Sequence, residues 1–410
     1  MDQILSLAAA RQAVLDALSG LLPGEIVPLA AALGRTLHAD LRAPGPWPAT
    51  DRSAMDGFAV QAGAAGLAAG TRLPVVGRAL AGHPLDRELA AGQAIRIMTG
   101  AVVPVGADAV VPVEETDGFG GETVTLGAAV RRGQHVRTLG SEVAAGDLLV
   151  ARGTRLRAAE VGVLAVLGRA EVDVFVAPRV AVLATGDEVV DIGVEPLPHQ
   201  VRNSNAHALA AQVQESGGAV LDLGIARDDV EDLRERLARG LGAADVLLTI
   251  GGVSKGTHDL VHGTLAELGV RPIFHGIRLK PGKPTFFGTL ESEARRRYVF
   301  GLPGNPASCF TVFDLLVRPL LRALVGGAEA PFTAVRAGSA PKQNAREQAV
   351  PARWETDAEG HACAALDVVR PSGDPFALLA GDGYALLAAG SEPGNQRLVP
   401  FVPYAAHAKS

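Results

Sequence analysis

Between residues 179 and 268 the chain alternates apolar runs with amphipathic segments, and this alternation restricts its architecture more than any other feature. Apolar runs at 180–184, 219–224 and 246–250 read as strands, and the segments at 206–215, 229–241 and 260–268 carry the spacing of helices. Strands that alternate with helices predict parallel βαβ units, whose ligand sites lie beyond the carboxyl ends of the strands. Several loops of this region are therefore expected on one rim.

The flanking segments have a different texture. An amphipathic helix opens the chain, with Asp2, Arg11 and Asp16 set among Ile4, Leu7, Val14, Leu15 and Leu18, which is not the pattern of a signal peptide. Short apolar runs punctuated by Gly, Pro and Asp predict a mainly β module that ends near Asp147, a helix at 158–167 and a first boundary near residue 175. The chain after Gly326 returns to such runs and reads as a small β domain. At 410 residues, two to four domains are expected. No uncharged run reaches membrane-spanning length. The two cysteines, Cys309 and Cys363, form neither a disulfide framework nor a zinc motif, which predicts a reducing, cytoplasmic setting. With 38 basic against 44 acidic residues and 4% aromatics, neither nucleic acid nor a membrane is an expected partner, so an anionic ligand must be bound locally.

Four loops offer that local chemistry. GGVSKGTHD, residues 251–259, follows a strand. Gly251, Gly252 and Gly256 permit close approach to an anion, Ser254 and Lys255 add donors, and Asp259 suits a divalent cation or a helix cap. Asp187 and Glu188 end the first strand, and Asp228 follows the second, so each is a candidate for the same rim or for a cap. KPGKP holds Lys280 and Lys283 on a stiff frame that suits an oxyanion, although a solvated basic turn has the same composition. GLPGNPAS, with Pro303, Asn305, Pro306 and Ser308, opens a helix that runs to about Leu324. Its free amides predict a second anion site or a proline-shaped cap. In the β module, Asp56 of DRSAMDG and Thr99 of IRIMTGA are the candidates for function, but turn chemistry alone favours a structural role for both.

Two rival patterns are weaker. Gly252 to Gly256 satisfies G-x-S-x-G, yet Ser254 lies four residues beyond the strand and no oxyanion segment precedes it, which argues against a hydrolase nucleophile. His258 and His262 stand at helical spacing without a third metal ligand.

In collinear order, DRSAMDG, RIMTGA, TGDE, GGVSKGTHD, KPGKP and GLPGNPAS resemble the MoeA family of molybdopterin molybdenumtransferases, which includes the gephyrin E domain. The resemblance implies an α/β multidomain chain: a MogA-like α/β domain (1–22 and 176–326), a linker domain (23–44 and 147–175), a β-rich domain (45–146) and a C-terminal β-barrel (327–410). It implies insertion of molybdate into adenylylated molybdopterin with release of AMP. Asp228 and Asp259 would be the ligands of Mg²⁺, with Asp187 and Glu188 near the phosphates, and Lys280, Lys283 and Ser308 would contact molybdate and pterin phosphate. It also implies a homodimer in which Asp56 and Thr99 serve the partner's cleft, which reverses the structural reading of those two, and a MogA-type adenylyltransferase as a further partner. A scaffold role is the third class of function. The chain departs from the family pattern at Glu142, at Gly276 (where His275 or Arg278 could substitute) and at Pro351, with Arg353 shifted; Arg346 fits, and Ser372 is placed as an oxyanion contact.

Overall fold

The computed structural model describes residues 4–83, 85–252, 260–292, 295–328, 332–337, 344–357, 360–366, 371–390 and 398–404. Two compact units are present, Met1–Ala39 with Arg152–Ser410, and Asp40–Ala151. Their junctions lie a few residues outside the expected limits of the β-rich domain.

The larger unit contains a six-stranded sheet. Its strands are β1 (Arg179–Thr185), β2 (Ala219–Ala226), β3 (Val246–Ile250), β4 (Arg271–His275), β6 (Phe286–Leu290) and β7 (Arg297–Leu302). The short β5 (Leu279–Lys280) belongs elsewhere. The sheet order is β2-β1-β3-β7-β6-β4. The first four strands are parallel, but β6 and β4 are antiparallel additions, so the sheet is mixed rather than parallel throughout. These edge strands have no helix between them, and their periodicity in the sequence is obscured by Pro272 and Gly288.

Helices cover both faces. Helix α1 (Leu7–Asp16) lies on one face with α3 (Ser204–Glu215), and α4 (Val230–Ala243) and α5 (Leu260–Glu267) lie on the other; α2 (Ala158–Val166) precedes β1 in the same unit. Alternate residues of β1 explain the layering, since Val180, Val182 and Ala184 enter the first apolar cluster while Ala181 and Leu183 enter the second. Helix α4 begins where the Asp229 carboxylate accepts from the amides of Glu231 (3.1 Å) and Asp232 (2.9 Å). Its buried stripe is Leu233, Leu237, Gly240 and Leu241. A Cβ at Gly240 would lie 2.8 Å from Leu223 and 2.9 Å from Leu247, so glycine is what lets this helix sit close to the sheet.

The chain crosses from β2 over β1 to β3, which puts a topological switch point beyond the ends of β1 and β3. After β7 come α6 (Pro306–Val312), a π-type turn (Phe313–Val317) and α7 (Arg318–Leu324). Pro319 lacks an amide, and its ring crowds the Leu315 carbonyl, so the helix widens there.

The C-terminal strands β8 (Thr333–Ala337), β9 (Glu347–Thr356), β10 (Ala362–Leu366), β11 (Gly383–Leu387) and β12 (Leu398–Pro403) close into a five-stranded barrel through the β9–β11 pairing, as expected. Strand β5 joins β9 in parallel, Leu279 opposite Glu347 and Lys280 opposite Gln348. Ala349, Tyr384 and Val402 of the barrel share the apolar cluster of the α/β domain. Elsewhere in the larger unit, Gly24–Pro28 pairs with Glu171–Phe175.

The smaller unit is built on a five-stranded sheet around Gly57–Val60, where Phe58 and Val60 face one core and Ala59 the other. No helix among the described residues is long and apolar enough to cross a membrane.

A buried polar knot fastens barrel to helix. Asp314 pairs with Arg318 and accepts from Gln212 Nε2 (2.7 Å), and Arg318 Nη1 donates to the Pro403 carbonyl (3.0 Å). Burial pushes the Asp314 carboxyl up from 3.8 to about 6, outweighing the attraction of Arg318. Between those values the folded chain keeps a proton that the unfolded chain releases, so this group's contribution to stability falls as pH rises through the window. The stability of Asp314→Asn relative to wild type should therefore increase over that range by about 3 kcal/mol, measured by urea unfolding at a series of pH values. A relative stability that falls would mean that Arg318, not burial, governs the carboxyl.

Candidate active site

The switch point gathers the first group of candidates. Thr185 Oγ1 donates to the Ile250 carbonyl (3.0 Å) and ties the end of β1 to the end of β3. Gly251 has φ +84° and Gly252 φ +62°, a region that favours glycine. Side chains are also excluded by space: a Cβ on Gly251 would lie 3.1 Å from the Thr185 carbonyl oxygen, and one on Gly252 would lie 2.5 Å from Val261 Cγ2. The Glu188 carboxylate lies over Gly186, where an added Cβ would meet it at 2.5 Å. The Asp228 amide donates to Asp187 Oδ1 (3.2 Å), which draws these two exposed acidic residues onto one rim. Because Asp229 is the cap of α4, the Asp228 side chain is not spent on that task. Ser254, Lys255, His258 and Asp259 lie outside the described residues.

A cleft of about 420 Å³ lies between the α/β domain and the barrel. The α/β side contributes Lys280, Lys283, Pro303, Asn305 and Ser308; the barrel side contributes Arg346, Gln348 and Ser372. Three cations and no carboxylate are found among its described lining residues, so its field selects anions. The lysine frame is braced from three directions. Strand β5 pairs with β9, the Ile277 amide donates to the Lys283 carbonyl (3.0 Å), and Thr285 Oγ1 donates to the Gly282 carbonyl (2.7 Å). Lys280 is half-buried and Lys283 is exposed.

Ser372 reaches the cleft despite its unpromising sequence context. Its Oγ accepts from Asn305 Nδ2 (3.1 Å), and its carbonyl accepts from the Ala307 amide (3.1 Å). The second bond corrects one expectation. Pro306 has no amide hydrogen and that of Ala307 is already engaged, so the start of α6 offers fewer free donors than GLPGNPAS suggests. The same loop joins cleft to rim, since Gly304 lies beside Gly251 and its carbonyl accepts from Asn205 Nδ2 (2.7 Å). Asn205, Thr311 and Gln348 were not legible as site residues; Asn205, just inside the start of α3, carried the only local signal. Neither His275 nor Arg278 lines the cleft, whereas Pro351 does. His275 instead lies against His262, ring centroids 4.4 Å apart with the planes tilted by 52°.

In the smaller unit Asp56 and Thr99 pair with each other. The Thr99 amide (2.7 Å) and hydroxyl (2.9 Å) both donate to Asp56 Oδ1 and hold this exposed carboxyl below its ordinary range. Glu142 is paired with Arg137.

Known proteins resemble the chain along most of its length. Residues 5–168 match the family model described as the MoeA N-terminal region (domain I and II), and residues 181–323 match that of a probable molybdopterin binding domain. The molybdopterin molybdenumtransferase of Haemophilus influenzae is 34% identical over 79% of this chain and 78% of its own length. The chain belongs to the MoeA family of molybdopterin molybdenumtransferases. Molybdopterin molybdenumtransferase 2 of Mycobacterium tuberculosis is 38% identical over 73% of this chain and 75% of its own. The crystal structure of a molybdopterin biosynthesis MoeA protein from Pyrococcus horikoshii is 31% identical, covers 98% of this chain and 99% of its own, and superposes with a TM-score of 0.78.

The rim depends on its glycines, and this is open to test. Gly252→Ala should lower stability by about 1–3 kcal/mol in chemical denaturation. Gly263→Ala, in α5 with open space around the added Cβ, should be neutral or stabilising. Equal effects at the two positions would remove the steric argument.

Proposed function

We propose that the chain is a molybdopterin molybdenumtransferase that inserts molybdate into adenylylated molybdopterin, releasing AMP and forming molybdenum cofactor. One observation carries this reading: a cation-lined cleft with no carboxylate among its described lining residues, joined through Gly304 and Asn305 to a rim of carboxylates. Two anions of different kinds must meet at such a junction. In the cleft, Lys280, Lys283 and Arg346 supply charge for the oxyanion, while Asn305, Ser308 and Ser372 supply polar contacts around it. An ammonium 4 Å from an anionic oxygen attracts it by about 4 kcal/mol at the effective dielectric of a protein surface.

The rim has the wrong sign for a phosphate unless a cation intervenes. Its donors are carboxylate oxygens, which suit Mg²⁺, an ion commonly held by one or two carboxylates together with substrate phosphates. Among the described residues no group of three or more possible ligands comes together, so the described part of the chain offers the smaller of those ligand sets. Asp228, with Asp259 from outside the described residues, would hold the ion, and Asp187 and Glu188 would stand near the phosphates. Bound there, Mg²⁺ would neutralise charge that develops on the phosphoanhydride. The P–O–P bridge breaks when a molybdate oxygen or water attacks the molybdopterin phosphorus and AMP leaves with the bridging oxygen; as each Mo–S bond to the dithiolene forms, a Mo–O bond breaks, and its oxygen leaves as water with the thiol protons or stays on the phosphate that it attacked. No protein nucleophile takes part. Gly251 and Gly252 let the substrate approach the backbone, and Pro303 and Pro306 shape the loop that separates nucleotide from oxyanion.

The proposal includes a homodimer. Asp56 of the partner subunit would approach the cleft already ionised, because its Thr99 contacts favour the charged form. A cytoplasmic location and supply of the adenylylated substrate by a MogA-type adenylyltransferase complete the reading.

Purified protein, adenylylated molybdopterin, molybdate and Mg²⁺ test it directly, with AMP as the readout. Lys283→Ala should raise the KM for molybdate about tenfold, and Asp228→Ala or Asp259→Ala should slow AMP release about a hundredfold. Chelation of Mg²⁺ should stop release, and added Mg²⁺ should restore it. Full turnover by the Asp259 variant would sink the metal assignment, and an unchanged KM in Lys283→Ala would sink that of the cleft.

A further inference from the structure

Among the described residues that line the cleft, Gln348 is the one with a side-chain polar atom both sealed from solvent and unpartnered. It is 3% exposed, and its Nε2 is sealed from solvent without a hydrogen-bond partner. Buried donors are normally paired, and Thr285 beside the cleft obeys this with the Gly282 carbonyl. Gln348 stands on β9 directly opposite Lys280, in the short ladder that joins barrel to α/β domain. It therefore lines the cleft beside the cations, on a wall where Ala349 and Val350 exclude water.

Gln348 also borders a second cavity, of about 500 Å³, between α1 and the barrel. That cavity has a carboxylate, Glu347, whose Oε2 accepts the Leu7 amide (2.9 Å), and a cation, Arg11, stacked over Phe332 at 4.5 Å. Among its described lining residues the cleft has cations and no carboxylate. An unpaired N–H needs an acceptor, and the cleft is the side on which an acceptor carrying negative charge is attracted.

We propose that Gln348, once its side chain turns the amide into the cleft, is a neutral hydrogen-bond donor to the tetrahedral oxyanion bound there. The inference rests on the reading of the cleft as the molybdate site. Its chemistry complements that of the lysines. An ammonium on a flexible stem supplies charge with little direction, whereas an amide anchored in a strand supplies direction without charge. The donor stays unpaired at some loss of stability in the free protein and is satisfied when the anion arrives, so part of the binding energy comes from relief of that deficit.

This arrangement predicts opposite effects on stability and binding. Gln348→Met removes the donor but keeps the length of the side chain, so the free variant should melt no lower than wild type. With molybdate alone as the probe, its affinity should fall about tenfold and its thermal protection by molybdate should shrink accordingly. Gln348→Glu places a negative charge at the same position and should weaken molybdate further. In turnover, the Met variant should show a raised KM for molybdate at unchanged kcat, a split that a merely structural role would not produce.

If Gln348→Met and Gln348→Glu bind molybdate like wild type while Lys283→Ala binds it more weakly, the role of Gln348 is overturned and the reading of the cleft stands. If Lys283→Ala also binds like wild type, the cleft is not the oxyanion site and the inference falls with it. Should Gln348→Met melt well below wild type, the amide is a structural element of the barrel mouth and the donor role is likewise overturned.

Discussion

A two-residue ladder, Leu279 and Lys280 against Glu347 and Gln348, is the contact on which the candidate site depends. It fixes one lysine of KPGKP to the first strand of the barrel. Two backbone pairs are too few to hold two folding elements together by themselves. The ladder persists because apolar side chains of the barrel, Ala349, Tyr384 and Val402, are buried in the same cluster as the helices below, and because Arg318 reaches the Pro403 carbonyl. Hydrophobic burial supplies the stability, and the ladder supplies the register.

That seating creates the cleft. Its lysines and Ser308 come from the α/β domain, and Arg346, Gln348 and Ser372 come from the barrel. Lys280, Lys283 and Arg346 repel one another when no anion is present. The fold tolerates this because Lys283 is exposed and the backbone of the frame is braced by bonds that do not involve the charges. A network elsewhere makes the opposite choice: Asp314 and Arg318 are both buried, and their mutual attraction is set against desolvation.

The rim was legible because its residues obey local rules. Glycines at positive φ, carboxylates just past strand ends and a proline-framed pair of lysines all leave marks within a few residues of one another. The alternation of strands and helices likewise predicted several loops on one rim, while the strand order that makes the switch point came from the tertiary structure. Local rules could not decide between Asp228 and Asp229 as the cap of α4, since adjacent aspartates are equivalent in sequence; backbone geometry selected Asp229 and left Asp228 on the rim. They also missed β6 and β4, because an antiparallel edge needs no helix between its strands. Ser372 had no readable context, since its partners Asn305 and Ala307 lie more than sixty positions away.

The sequence by itself determined the α/β class of the central domain, the β character of the flanking modules, and the rim and lysine frame, all consequences of hydrophobic periodicity and backbone preference over short stretches. Only the tertiary structure decided that Arg346, Gln348 and Ser372 face Lys280, Lys283 and Ser308 across one cleft, that α6 begins with its Ala307 amide engaged, and that Gln348 is left without a partner. Those facts depend on which distant surfaces are buried together, a property of the whole chain's packing that no local pattern records.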